Sequence, residues 1–293
     1  MSNETSVSRH LGKASVCVGK YDPTLLVKEA RSRSRQELNI SSDKLPFVGK
    51  DVWNNYEVSC LLDNGMPVTA IAKIVYDCTS DAIIESKSMK LYWNSFNMEK
   101  MGKTIDECYA KLQAITEKDL STLIGSPVMV SLVKAEVVSS PIPLFGYVNI
   151  DELAQLVATD KYKHDESLLT GKQVTEERVL KVRTSLLRGL CCITSQPDTG
   201  DVYIHYKGNY DIDVTSILQY IVSNRETNEF HEPSCEKFFN AISKKFEPKE
   251  LAVFCLYNRR GSLDINPMRA TSYDLIPVHM TDPDTQWSKA ARQ

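Results

Sequence analysis

The chain has 293 residues, 42% hydrophobic and 25% charged, with a formal net charge of -3. Those values belong to a globular protein with one large or two ordinary cores, and they argue against a general nucleic-acid or membrane-surface binder. Eight cysteines without a CxxC pair, five scattered histidines and no long apolar stretch speak against a disulfide framework, structural zinc, a secretory leader or a membrane span. A cytoplasmic protein with reduced thiols is expected.

Residues 1 to about 50 are polar and irregular and read as an arm that packs on something else. Its basic run, Ala30 to Arg35, is taken as solvated surface without a function. A first module is expected over 51–158. Tyr56–Leu62, a turn at Asp63-Asn64-Gly65 and Val68–Tyr76 predict a hairpin, since Asp-Asn-Gly supplies positive φ. In ESKSMKLYWNSFN, Met89, Tyr92, Trp93 and Phe96 recur at helical spacing on one apolar face, and Lys87, Lys90, Asn94 and Asn97 fall on another. A second helix over TIDECYAKLQAI places Ile105, Cys108, Leu112 and Ile115 on one face. Pro127–Val138 and FGYVNID read as strands.

Thr159–Glu177 is polar and reads as a linker, and 178–293 as a second module. There Leu186–Thr194 and Val202–Tyr206 flank a turn at Gln196–Gly200. DVTSILQYIVS and PSCEKFFNAISKKF predict helices, and LAVFCLY and TSYDLIPVHM strands. The order of elements repeats between the halves, which suggests a duplicated α+β module with helices on one face of an antiparallel sheet.

Four segments carry candidate chemistry. Glu85 and Ser86 open the first helix, where a carboxylate suits a donor-rich heterocycle and the neighbouring lysines suit phosphate. Taken alone, the same segment is an ordinary core helix with a solvated lysine face. Cys191-Cys192 precede Gln196-Pro197-Asp198: a thiolate can attack an electrophilic carbon, and an acid within reach can protonate the atom that receives charge. Fully extended, Cys191 and Asp198 would stand about 23 Å apart, so they cooperate only if the chain folds back. Asn228-Glu229-Phe230-His231-Glu232 precedes a helix, and a carboxylate there can accept from a guanine-like edge or merely cap the helix. Arg259-Arg260-Gly261 is a phosphate clamp or a charged hairpin tip.

Together ESKSMKLYWNSFN, the C-C-I-T-S-Q-P-D stretch, FHE and RRGSLDINP resemble the NADPH-dependent 7-cyano-7-deazaguanine reductases, nitrile reductases of queuosine biosynthesis, in their long two-module form. LPFVGKDVWNNYEVSCL from Leu45 resembles the same form. The resemblance implies tandem tunnelling-fold (T-fold) modules, each a four-stranded antiparallel sheet backed by two helices. It makes Cys191 the nucleophile and Asp198 the proton donor, with spacing to Gln-Pro-Asp favouring Cys191 over Cys192. It makes His231 and Glu232, with Ile84, Glu85 and Ser86, the substrate contacts. Ser86, Lys87, Arg260 and Gly261 become the NADPH contacts, and no metal is implied. Ser195 stands where the long form commonly has histidine, and Thr199 where it often has an aromatic residue.

The implied reaction is a four-electron reduction of a small deazaguanine nitrile to its aminomethyl form through a Cys191 thioimide, with two NADPH consumed. A homodimer is the expected assembly, with no direct nucleic-acid or membrane partner. The motifs divide between the halves, so a site must assemble between them, within one chain or across a dimer. Two enzyme alternatives stand beside this: another pterin- or purine-processing enzyme of the same fold, and a cysteine-dependent nitrile hydrolase. A non-catalytic tRNA-binding module is a third alternative, which the net charge disfavours.

Overall fold

The computed structural model describes residues 19–134, 146–286, 289 and 293. Cys17, Phe145 and the far end of the strand expected over Pro127–Val138 lie outside the described residues. A short strand β1 (Lys28–Ala30) and helix α1 (Arg31–Glu37) precede the hairpin β2 (Val48–Leu62) and β3 (Pro67–Asp77). Gly65 turns that hairpin with φ +88°, a conformation glycine adopts without cost. Strand β4 (Ala82–Ile84) pairs with β1 and runs into α2 (Ser86–Asn94). Met89, Tyr92, Trp93 and Phe96 are all buried, roughly 1.5–3 kcal/mol apiece of apolar burial.

After β5 (Lys100–Gly102), Thr104 caps α3 (Ile105–Ile124), and Gly125 at φ +68° ends it. The buried stripe of α3 is Cys108, Leu112, Thr116, Leu120 and Ile124. Ile105, expected on that face, is 43% exposed because it is the first residue of the helix, beyond the end of the buried stripe. Strands β6 (Val128–Val133) and β7 (Val148–Asn149) complete this half.

The second half opens with the long hairpin β8 (Gly171–Leu190) and β9 (Pro197–Ile212). Helices α4 (Val214–Val222) and α5 (His231–Phe246) follow, then β10 (Glu250–Tyr257), β11 (Leu263–Ala270) and the short α6 (Val278–Thr281). Residues 171–177, read as part of a linker, belong to β8. The last strand is not TSYDLIPVHM, which forms a 3-10 turn at Tyr273–Leu275 and then α6; Pro277 has no N–H to offer a ladder. It is LDINPMRA, a stretch without alternation because every residue in it is buried.

All the large strands join one nine-stranded sheet, in the order β6-β3-β2-β11-β10-β9-β8-β7 with β5 beside β2. The seam between the halves is the antiparallel pairing of β2 with β11, from Leu263↔Asn55 to Ala270↔Val48. Among the described residues the first half supplies three antiparallel strands, β2, β3 and β6, rather than four. The strand expected from FGYVNID is only Val148–Asn149, and it lies parallel to β8 of the other half.

The helices share one face of the sheet. Under α2 and α3 lie Trp53, Ile74, Tyr76, Leu263 and Ile265, and under α4 and α5 lie Val202, Ile204, Leu251 and Val253. The opposite face of the seam buries Val52, Val75, Phe254 and Met268 against Ile276 and Met280. The first turns of α2 and α5 therefore meet over the seam.

Candidate active site

The sheet seam provides a floor of Trp53, Leu263 and Ile265. On one side Ile84 ends β4, and Glu85 caps α2: its Oε1 accepts from Lys87 N at 3.0 Å and its Oε2 from Ser88 N at 2.7 Å. Each oxygen keeps a lone pair for a ligand. On the other side His231 and Glu232 form the first turn of α5.

The hairpin of β8 and β9 delivers the thiol and the acid. Its turn is Cys191 to Gln196, earlier than expected, closed by Cys191 N to Gln196 O at 2.9 Å and Ser195 N to Cys191 O at 2.8 Å. Cys191 and Cys192 therefore lie in a turn and not on a strand, and Asp198 is the second residue of β9, opposite Gly189. Ser195 adopts φ +54°, left-handed backbone that a β-carbon resists. Glu229 N donates to Leu190 O at 3.0 Å, which ties this turn to the segment entering α5.

All ten residues picked from the sequence line one cavity of about 300 Å³ within a single chain: Ile84, Glu85, Ser86, Lys87, Cys191, Asp198, His231, Glu232, Arg260 and Gly261. Lys90, Glu229, Phe230, Tyr257 and Asn258 also line it. Lys90 was legible as the residue one turn after Lys87; Tyr257, with its ring 4.0 Å from the His231 ring, had no local signal. Cys192 turns instead into an adjoining hollow of about 270 Å³ beside Glu29, Arg33 and Asn228.

Burial dominates the electrostatics. It pushes His231 down to about 4, with the Arg260 cation adding to the effect and Asp198 opposing it, so the imidazole is neutral at physiological pH. Burial and the Asp51 charge push Glu232 up to about 7 against the pull of Arg31 and Arg269. Burial and the neighbouring Cys191 push the Cys192 thiol up to about 12. Asp198 is buried, accepts from Arg260 Nη1 through Oδ1, and has Oδ2 3.8 Å from His231 Nε2.

The basic run of the N-terminal segment is not solvated surface. Arg31 and Arg35, four apart on α1, are 3% and 2% exposed, and of the run's three arginines only Arg33 reaches solvent. Arg31 pairs with Asp51, and Arg35 reaches Glu236 at 2.8 Å. A charge run leaves water only when partners meet it, and both partners are distant in sequence.

The residues suit a phosphorylated, nicotinamide-bearing ligand. Lys87, Lys90 and Arg260 bring three cations to one wall. Gly261, at φ +64°, leaves open a space in which a β-carbon would stand 3.1 Å from Lys90 Nζ. Among the described residues no group of three or more His, Cys, Asp or Glu side chains is placed to hold a metal ion.

A cavity that joins a thiol, carboxylates and cations is the equipment of an enzyme, and comparison with known proteins narrows the class. The family described as nitrile reductase, 7-cyano-7-deazaguanine-reductase N-term, matches residues 18–132, and that described as QueF-like protein matches 197–274. An NADPH-dependent 7-cyano-7-deazaguanine reductase of Aromatoleum aromaticum is 41% identical over 267 residues, 90% of each chain. One of Colwellia psychrerythraea is 37% identical over 292 residues, 95% of this chain and 97% of its own. A crystal structure of an archaeosine synthase QueF-Like in the apo form covers 32% of this chain and 91% of its own, at 16% identity and TM-score 0.29, too low to bear on the fold. Cavity and relatives together define a reductase. The chain belongs to the family of NADPH-dependent 7-cyano-7-deazaguanine reductases.

Proposed function

We propose that this chain reduces the nitrile of 7-cyano-7-deazaguanine to the aminomethyl group with NADPH, as its relatives are named for, and that it does so through a covalent bond to Cys191. The observation that carries the reading is the convergence of Cys191, Asp198, Glu85, Glu232, Lys87 and Arg260 on one cavity from both halves of one chain.

Glu232 and Glu85 accept hydrogen bonds from the N–H and amino edge of the ring, and His231, neutral and packed on Tyr257, closes the wall beside them. The Cys191 sulfur forms a bond to the nitrile carbon. One C–N π bond opens, and Asp198 gives its proton to the nitrogen, leaving a thioimide. Ser86, Lys87, Arg260 and Gly261 would hold NADPH, which would supply hydride, two equivalents per nitrile. Between the two reductions the C–S bond breaks, Cys191 departs as thiolate and an imine remains in the cavity. Two protons are taken up per nitrile, both onto nitrogen: the one Asp198 gives at thioimide formation and, once Asp198 has been recharged from water, a second at the second reduction, while Cys191 ends as the thiolate it began as.

We also read the two halves as tandem T-fold modules and the protein as a cytoplasmic homodimer. The four helices on one face of the shared sheet support the first of these. No helix among the described residues is long and apolar enough to cross a membrane. The activity is tested by adding 7-cyano-7-deazaguanine and following the nicotinamide absorbance. Two NADPH consumed per nitrile, with the aminomethyl base identified by mass, is the expected result. A hydrolysed base without NADPH loss would replace the reading with that of a nitrile hydrolase.

A further inference from the structure

Beneath Glu232 lies a lattice of buried charge that the proposed chemistry does not use. Arg269 donates from Nη1 to Asp51 at 2.8 Å and from Nη2 to Glu236 at 2.9 Å. Arg31 pairs with Asp51, donates from Nε to Ser80 Oγ at 3.1 Å, and has Nη1 3.8 Å from Glu236. Arg35 holds Glu236 through Nε at 3.0 Å and Nη2 at 2.8 Å. All five side chains are buried.

These groups do not balance. Three guanidiniums face the two carboxylates Asp51 and Glu236, which leaves a surplus positive charge where an isolated charge is expensive. A third buried carboxyl, Glu232, stands one helical turn before Glu236 on α5, is 2% exposed and feels the charges of Arg31, Arg269 and Asp51. Its side-chain hydrogen bond within the protein is a long one, from Tyr76 Oη at 3.4 Å, and the Arg31 guanidinium lies 5.7 Å from the Tyr76 ring. Glu232 thus closes the lattice on one side and the cavity on the other.

We propose that Arg31 and Arg269 are positioning residues for recognition of the nitrile base: their surplus charge sets the ionisation of the Glu232 carboxylate that the ring's donors meet. The inference rests on the reading of Glu232 as a ring acceptor. It gives the N-terminal segment a part in the site, although none of α1 touches the cavity. The charged and titratable groups that face Glu232 are Arg31 from α1, Asp51 from β2, Tyr76 from β3 and Arg269 from β11. Glu236 and His231 flank it on α5, and Glu85 faces it from across the cavity. Arg31 and Arg269 favour the ionised form, whereas Asp51 opposes it.

The experiment measures the Kd of 7-cyano-7-deazaguanine by calorimetry from pH 5.5 to 8.5, in full-length protein carrying Cys191→Ala so that binding is noncovalent. In that parent, affinity is expected to fall on the acid side of a midpoint near the Glu232 value of about 7. Arg31→Met raises that midpoint to about pH 8, so Kd at pH 7 rises on the order of fivefold and the gap closes toward pH 8.5. Arg31→Lys restores the parent midpoint. Asp51→Asn, which removes the opposing anion, moves the midpoint down; it decides the matter alone if Arg31→Met does not fold. In a Glu232→Gln background, Arg31→Met adds nothing further. An unmoved midpoint, or an equal loss of affinity at every pH, overturns the inference while leaving Glu232 in the site. Unchanged affinity in Glu232→Gln itself removes Glu232 from recognition, and the inference falls with it.

Discussion

Arg260 donates from Nη1 to Asp198 Oδ1, so a residue assigned to the cofactor holds the carboxylate assigned to proton transfer. Both sit at the cavity wall, with Arg260 partly exposed at 41% and Asp198 buried. A ligand phosphate that draws Arg260 outward would release Asp198. The two cofactor cations are therefore not equivalent.

Lys87→Ala is expected to raise the NADPH KM several-fold and leave the rate of nitrile adduct formation unchanged, because it lines the cavity without touching the acid. Arg260→Ala is expected to raise that KM and also to alter the adduct rate. Single-turnover mass spectrometry without NADPH, beside steady-state kinetics, separates the two. Identical behaviour of the variants would mean that the Arg260 contact with Asp198 has no part in the chemistry.

Gly261 carries the second cofactor expectation. Its φ of +64° is strained for any residue with a β-carbon, and that carbon would press on Lys90 Nζ. Gly261→Ala should cost about 1 kcal/mol of stability and raise the NADPH KM, with the affinity for the nitrile base unchanged. Thermal melts and titrations check each part. A loss of nitrile affinity without a change in NADPH KM would place the turn on the substrate side.

His231 and Glu232 are neighbours whose burial acts in opposite senses on stability. A histidine held near 4, below its ordinary 6.5, contributes stability that is present above pH 6.5 and lost as pH falls toward 4. A carboxyl held near 7, above its ordinary 4.5, contributes stability that is present below pH 4.5 and lost as pH rises through 7. Each amounts to roughly 3 kcal/mol at most, and between pH 4.5 and 6.5 they largely cancel. Relative to wild type, Glu232→Gln should lose stability on acidification from 6.5 to 4, and His231→Gln on alkalinisation from 4.5 to 7. Denaturant titrations across that range check the signs. Differences from wild type that stay constant with pH would contradict the assigned burial of both groups.

Local patterns were legible in this sequence, and long-range pairings were not. The apolar stripe of Met89, Tyr92, Trp93 and Phe96 and the Asp63-Asn64-Gly65 turn are decided within a few residues, and the structure has both. The seam of β2 with β11 joins residues some two hundred positions apart, and β11 itself hides behind Pro267 and burial on both faces. Arg31 and Arg35 read as surface because nothing near them in sequence announces Asp51 and Glu236. The site residues followed from the resemblance of four short motifs to a known family; taken alone, each motif left a structural reading open. Their meeting in one cavity depends on the seam, which no single motif encodes.

The central claim is that Cys191 forms a covalent bond to the nitrile, and intact mass tests it most directly. Cys191 lines the main cavity with Asp198, whereas Cys192 turns into the neighbouring hollow with its thiol pushed up to about 12, leaving almost no thiolate at neutral pH. Protein mixed with 7-cyano-7-deazaguanine in the absence of NADPH should gain the mass of the base. Cys192→Ala should gain it too, Asp198→Asn slowly, and Cys191→Ala not at all. An adduct that persists in Cys191→Ala and disappears in Cys192→Ala, or one that never forms on the wild-type chain, would contradict the account.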